Sequence, residues 1–499
     1  MADNATTTTM EVDMSSMMDG MSGMSDAMDQ MANMTATIVD LQAQIDDMMA
    51  SIDLFFVLTM GIVCFLMQAG FGLLEVGSIR AKNASNIMLK NLMDASVAAI
   101  AYYLFGYSVA YGAGGNGFIG GSSLLALRGD QISTVDYIYW FFNYVFAGTT
   151  ATIVSGAVAE RCQFRAYLVY SFALAGFIYP VCSHWIWDPN GFLNGKVYDF
   201  AGGGAVHMVG GVAAATAAFI LGPRTGKFVI DGETGKKVAV NIPGHNVTLA
   251  VLGTLILWFG FFAFNGGSSY TIAGEAQYNA TGRAVVVTTL GGAFGGVVTM
   301  IWGFLATKSW DIGWVINGLL GGMVATCSGA NALEPWAGII VGVLGSIATQ
   351  SQVLLFEHVL FIDDPLNASA VHLGAGAVGM VFVAFMANPE FAGEEFTGIF
   401  YGGEWKFLGY QFMGMAAYTG WTLGTSGAMF FALKSIGWFR VHEEEERVGV
   451  DKSHHGGSAY PVDDEHEEKQ SLTGADSIAS KRESPEPSEH MEINNEVAA

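Results

Sequence analysis

Along the chain, stretches of about 20 apolar residues, the length a helix needs to cross a bilayer core, alternate with short polar breaks. They fall at residues 53–79, 93–112, 135–159, 164–183 and 202–222, and again at 246–266, 283–307, 312–331, 334–355, 368–388 and 408–434. The pattern predicts an all-α integral membrane protein with eleven transmembrane helices. An odd number of spans puts the ends on opposite faces, and the Lys/Arg bias assigns them. With the N-terminus outside and the C-terminus inside, the inner loops receive Arg80, Lys82, Lys90, Arg161, Arg165, Arg224, Lys227, Lys236, Lys237, Lys308, Lys434 and Arg440. The outer side keeps little beyond Arg128, Lys196 and Lys406. Spans one to five and six to ten then form two five-helix inverted repeats plus a final helix, an arrangement that places a transport site near the midplane.

The flanks read differently from this membrane domain of residues 51–438. Residues 1–50 form an acidic, Met-rich extracellular segment. From Met31 its apolar positions Met34, Ile38, Leu41, Ile45, Met48 and Ile52 alternate spacings of three and four, the signature of a coiled-coil seam. The methionines could otherwise serve as soft ligands for copper; the periodicity favours the seam. The acidic start lacks the basic region of a secretory signal, so the first apolar run is expected to stay as a signal-anchor-like span. Residues 439–499 read as an acidic cytoplasmic regulatory tail, largely disordered.

Composition narrows the class. The 499 residues are 52% hydrophobic and 13% charged, where a soluble domain carries about 25% charge, and mean hydropathy is +0.40. The net charge of −24 resides mostly in the ends and leaves no basic stripe for phosphates, which argues against a nucleic-acid partner. Cys64, Cys162, Cys182 and Cys327 lie in or beside apolar runs with no close-spaced pair, so no metal site or cofactor is expected. The absence of a His-Glu-x-x-His motif removes an intramembrane metalloprotease, and the chain reads as a non-enzyme.

The candidate chemistry lies in a repeated pattern. Asp199 precedes His207, and Asp364 precedes His372, by the same interval, each histidine ending an Ala-Val-His triplet that opens an apolar, glycine-rich run. A histidine in hydrocarbon is costly and usually faces a partner or a cavity, so two at equivalent places in opposed repeats suggest one paired site. Gly210, Gly211, Gly374 and Gly376 follow them and permit close helix approach. The bland reading of Asp199 and Asp364 is that of helix caps, favoured for Asp364, whose role is then structural.

These motifs, with Ala159-Glu160-Arg161, Asp363-Asp364-Pro365 and the apolar stretch from Trp258 through Asn265 to Ser268, resemble the ammonium transporter family, in its plant type, across roughly residues 50–460. The resemblance implies an outer recruitment pocket of Trp187, Phe142, Phe146 and Ser268, a paired ring gate of Phe146 and Phe264, and a pore lined by His207 and His372 as a twin-histidine relay. Asp199 would order the pocket and add negative potential. Aromatic faces attract a cation by about 0.5–2 kcal/mol, and a hydroxyl accepts an N–H that water no longer satisfies. With 12% of the chain aromatic, any one of these rings alone would read as core. Their match to the family pattern and their common outer side reverse that reading.

The same resemblance implies a homotrimer in a plasma membrane, with one pore per protomer, taking up ammonium and methylammonium. Energetics suggests that the ion sheds its proton before a narrow apolar lumen, so that ammonia and a proton cross separately and transport is electrogenic. Passive ammonia conduction is the alternative, as is an ammonium sensor signalling through its tail; Trp187 disfavours a related Rh-type gas channel. The tail segment of residues 449–457 resembles the regulatory motif of plant-type members, with Ser453 where they carry a phosphorylated threonine. A kinase would then act there and disturb docking of the tail on the basic inner loops, with Arg161, Arg224, Lys227 and Lys308 as expected partners.

Overall fold

The computed structural model describes residues 14–121, 125–128 and 133–460. The expectations for residues 1–13 and for the acidic tail from 461 onward lie outside the described residues. In chain order the main helices are α1 (Met14–Ser78), α2 (Ala81–Tyr111), α3 (Thr134–Ala157), α4 (Phe164–Trp187), α5 (Gly203–Leu221), α6 (Val247–Gly267), α7 (Glu275–Thr307), α8 (Ile312–Thr326), α9 (Pro335–Leu360), α10 (Ala370–Met386) and α11 (Trp405–Ser435). Among the described residues, seven are long and apolar enough to cross a membrane. The strand pairing among the described residues is a small hairpin between α5 and α6, with Phe228–Ile230 antiparallel to Lys237–Ala239.

Boundaries follow local chemistry. The carboxylate of Asp136 accepts the Ser133 N–H at the start of α3, Asn246 caps α6 and Asp311 caps α8. Pro335 opens α9, where its missing N–H has no intrahelical partner to lose. α2 begins twelve residues before the apolar run at 93, because its first turns carry Asn83, Asn86 and Lys90, polar yet buried against neighbouring loops. α8 ends short of residue 331 because the chain turns at Cys327, whose carbonyl accepts the Ala201 N–H at 3.0 Å. The Met-rich segment belongs to α1, which is helical from Met14 and carries only a single turn at Leu66.

The alternating loops gather at two ends. Those after α1, α3, α5 and α9 meet through Arg80, Glu160, Arg224 and Asp363. The segments after α4, α6 and α10 meet at the opposite end of the helices around one cavity. Between the ends, α5 and α10 cross where glycines permit it. A Cβ at Gly211 would strike the backbone of Leu373, and one at Gly376 would lie 2.5 Å from the Gly203 carbonyl oxygen. Gly210 and Gly374 serve other contacts, facing Ile153 and Gln352.

Candidate functional site

The cavity between the even-numbered loops has a volume of about 730 Å3 and is lined by Phe142, Phe146, Trp187, Asp199 and Ser268, the five positions expected at a recruitment pocket. Trp187, at the end of α4, donates its indole N–H to the Asp199 carbonyl at 2.9 Å, which fixes the ring at the rim. Phe142 and Phe146, one turn apart on α3, have centroids 5.0 Å apart, and Phe146 meets Trp187 edge-on at 6.2 Å. Ser268 ends α6 and donates its hydroxyl to the Phe264 carbonyl at 2.8 Å, leaving the oxygen lone pairs available to a donor.

Tyr111, Tyr139, Tyr270 and Asn143 add polar groups to the wall. Asn143 Oδ1 accepts from the hydroxyls of Tyr111 at 2.9 Å and Tyr270 at 3.2 Å, and Tyr139 lines the same space. No sequence motif pointed to them. The signal available was Asn143, an amide within an otherwise aromatic stretch of α3.

Below the pocket, the Phe146 and Phe264 rings stack with centroids 4.1 Å apart and planes 18° from parallel. Both rings are almost fully buried and close the floor. Phe264 leads on to His207, whose ring lies 5.4 Å away, and Phe261 stacks on the same histidine at 5.8 Å.

His207 and His372 then meet through their Nδ1 atoms at 3.0 Å, rings 13° from parallel. One nitrogen must donate and the other accept. His207 Nε2 is buried without a hydrogen-bond partner, so a polar nitrogen remains for a passing species. Both histidines sit in π-helical turns, Gly203–Met208 and Ala370–Gly374, the irregular turns that open α5 and α10. Each turn is held by its own aspartate. Asp199 Oδ2 accepts from the Gly204 and Ala205 N–H groups at 3.0 and 2.8 Å. Asp364 accepts from Ala368 and Ser369 N–H at 3.0 and 2.7 Å, and from the Ser369 hydroxyl. The repeated sequence pattern is thus a repeated structural device.

Beyond the histidines, a small cavity of about 30 Å3 is lined by Phe71, Glu75, Thr152, Phe261 and His372. Glu75 accepts from Asn91 Nδ2 at 2.6 Å and from the Ser155 hydroxyl. Nearby Asp94 accepts from the Tyr167 hydroxyl at 2.5 Å and from Ser171. Neither carboxylate belongs to a recognisable motif; the signal each offers in the sequence is an acidic residue inside an apolar run, a functional candidate by default.

At the far end, Glu160 is buried with φ 69°, a left-handed conformation unusual for a residue with a side chain. Arg80 Nε donates to it at 2.8 Å, and Arg224 lies 3.5 Å away while bonding Asp363 at 2.9 Å. Burial alone would raise the Glu160 carboxyl, but Arg224 and Arg80 outweigh it and hold the group below its usual range. Arg161 and Arg224 do the same for Asp363, still further below.

The tail docks beside this cluster on other residues than expected. Asp451 accepts from the Ser85 and Asn86 N–H groups at 2.9 and 2.8 Å, and Asn83 Oδ1 accepts the Val450 N–H at 2.9 Å. Glu446 takes Arg440 at 2.8 Å and the Thr225 N–H at 2.7 Å. The expected side chains are engaged elsewhere: Arg161 on the Asp363 and Gly222 carbonyls, Arg224 on Asp363, Lys227 on Glu357. Lys308 takes a left-handed conformation at the end of α7. Ser453 is exposed and donates its hydroxyl to the Gly449 carbonyl at 3.1 Å.

Comparison with known proteins agrees with this architecture. The chain is 40% identical over 436 residues to Ammonium transporter 1 member 3 of Solanum lycopersicum, covering 82% of this chain and 93% of that one. It is 39% identical over 426 residues to Ammonium transporter 1 member 1 of Arabidopsis thaliana, covering 80% and 83%. Among solved structures, one titled Sensor Amt Protein superposes with a TM-score of 0.75 at 32% identity, covering 82% of this chain and all of that one. Mep2 of Candida albicans gives 0.70 at 30%, covering 79% and 87%. The profile described as Ammonium Transporter Family matches residues 54–460. By its matched length, its relatives and its helical membrane fold, the chain belongs to the Ammonium Transporter Family.

Proposed function

We propose that this protein takes up ammonium, and methylammonium as an analogue, through a pore within each protomer of a plasma-membrane homotrimer. The observation that carries this reading is the continuous stack from the Trp187 pocket through the Phe146 and Phe264 rings to the His207 and His372 pair. The alternation of loops between two ends supports eleven spans, with the arginine-rich end inside and the pocket outside. Two five-helix repeats then bring α5 and α10 together from opposite sides.

Each layer supplies one step. Ammonium arrives at aromatic faces that attract a cation, and the Ser268 hydroxyl accepts one of its N–H groups. Asp199 orders the rim through Trp187 and adds negative potential. The Phe146 and Phe264 rings exclude hydrated metal ions because they offer no ligand to replace lost water. Entry of a bare charge would cost several kcal/mol, and deprotonation before the gate avoids that cost. Ammonia passes the rings, while the proton moves through the histidine pair, one nitrogen accepting as the other releases. Net charge crosses, so transport is electrogenic.

Voltage-clamp recording in oocytes tests this directly. Addition of ammonium should evoke an inward current that saturates and that potassium at equal concentration does not reproduce. Uptake of labelled methylammonium without current would replace the electrogenic route with passive ammonia conduction. A second reading, regulation or sensing through the tail, is favoured by the contacts of Asp451 with the Ser85 and Asn86 N–H groups near the start of α2.

A further inference from the structure

Ahead of the membrane domain, α1 projects as an isolated helix. Residues 14–52 are exposed throughout and extend for about 58 Å at 1.5 Å per residue. Met17, Met24, Met31, Ile38, Ile45 and Ile52 recur every seven residues without exception. Ala27, Met34, Leu41 and Met48 fill the companion register three residues on. These are the a and d positions of a heptad; the first d position is Gly20, so both are filled over four repeats, which meets the three or four that mark a coiled coil. Ile38 is 62% exposed, Leu41 51% and Ile45 45%, a contiguous apolar seam left uncovered among the described residues.

Charge placement selects the occupant. Asp19, Asp26, Asp29, Asp40, Asp46 and Asp47 all fall at positions b, c or f, on the face away from the seam. The flanking e and g positions, including Thr35, Thr37, Gln42 and Gln44, carry no charge. Gln42 donates to Asp46 at 2.8 Å and Gln44 to Asp40 at 2.9 Å, which holds those carboxylates along the helix rather than across the seam. A helix this acidic would repel its own copy if charges stood at e and g, where coiled coils set partner choice. Here identical copies meet on a neutral, apolar stripe. Asp53 accepts from the Ile272 and Ala273 N–H groups at 2.6 and 2.8 Å and fixes the helix on the membrane domain. Every copy is therefore anchored at the same end, and neighbours run parallel.

We propose that residues 17–52 form a parallel coiled coil with the same segment of neighbouring copies, clamping the protomers together outside the membrane. The seam accounts for Met17, Met24 and Met31 as packing residues in the same register as the isoleucines, with no metal required. Isoleucine at a with leucine at d, as at Ile38 and Leu41, favours two strands in an isolated coiled coil, so here the membrane domain, to which each helix is anchored, sets the strand number. Three strands rest on the homotrimer reading above.

Single cysteines introduced into the full-length protein test the register, since the four native cysteines are all buried. Ile38→Cys and Ile45→Cys, at a, should cross-link between copies through a short bismaleimide with a yield at least about fivefold above Ala36→Cys and Ala43→Cys, at f. The double variant Ile38→Lys, Leu41→Lys should lower the temperature at which the detergent-solubilised oligomer dissociates. Equal yields at a and f, or an unchanged dissociation temperature, would overturn the coiled coil. Methylammonium uptake by the same variants reports separately on the transport reading, because the seam lies outside the pore.

Discussion

His207 and His372, one from each half of the chain, face each other through like nitrogens, Nδ1 to Nδ1 at 3.0 Å. Such a contact holds only if one ring carries its proton at that atom and the other does not. The pair is therefore set by a single shared proton, and the two backbone devices that position it, Asp199 and Asp364 capping π-helical turns, are copies of one another.

Replacing either histidine with alanine leaves its partner buried without the Nδ1 bond, which costs about 1–3 kcal/mol. His207→Ala and His372→Ala should each reduce ammonium-evoked current by about tenfold or more, the change that ~1.4 kcal/mol on a barrier produces. Methylammonium uptake should fall less than the current does. Unchanged current and ion selectivity in both variants, at equal surface abundance, would remove the relay.

Much of this site was legible in the sequence because repetition and spacing carry it. Asp199 with His207 and Asp364 with His372 stand out as duplicated motifs, and the apolar runs at 202–222 and 368–388 located their helices to within two residues. The π-helical character of both turns was not legible, since it arises from the i→i+5 bonding that each aspartate permits and leaves no periodicity of its own. Asn143 with Tyr111 and Tyr270 likewise meets only in three dimensions. The tail partners differ from those expected for an electrostatic reason: Arg161 and Arg224 are consumed by their own loops, so the tail is held by the N–H groups of Ser85, Asn86 and Thr225 and by Lys82, which donates to the Glu446 and Arg447 carbonyls.

Trp187→Ala should weaken capture rather than conduction. Losing a cation–π contact worth about 0.5–2 kcal/mol would raise the half-saturating ammonium concentration by about 2–30-fold while the maximal current changes little. Phe264→Ala should act differently, because it removes one member of the stack over the histidines and opens the floor to water. Potassium current relative to ammonium should then increase. Concentration and ion-substitution series in voltage clamp separate the two effects, and identical behaviour of both variants would mean that pocket and gate are not distinct.

Glu160→Gln should destabilise the inner end, because it leaves Arg80 and Arg224 short of a buried counter-charge at a cost of about 3–5 kcal/mol. The same cluster sets an acid limit. Glu160 and Asp363 titrate below their unfolded values of about 4, so their contribution is full above that range and is lost as pH falls through the folded values. Thermal midpoints of the purified protein should drop as pH decreases below about 4. The Glu160→Gln protein should start lower at neutral pH and show a shallower fall. Parallel curves for the two proteins would show that other groups set the limit.

Phosphorylation of Ser453 should release the tail. The segment Val450–His454 holds Asp451 against the Ser85 and Asn86 N–H groups, and each bond to a charged acceptor is worth about 1.5–3 kcal/mol. A phosphate adds about −1.5 to −2 charge two residues from Asp451, just after a short helix whose first turn carries Glu443, Glu444 and Glu445. Ser453 is exposed and its hydroxyl reaches the local carbonyls of Gly449 and Val450, so a kinase can address it without unfolding the pore. Ser453→Asp and Asp451→Ala should both lower ammonium current, the first by repulsion and the second by loss of the anchor, while Ser453→Ala keeps it. Combining Ser453→Asp with Asp451→Ala should add little, because both act on one contact. Limited proteolysis supplies an independent readout, with cleavage between residues 449 and 457 faster in both single variants. Identical currents and identical cleavage in Ser453→Ala and Ser453→Asp would discard the switch and leave the pore assignment untouched.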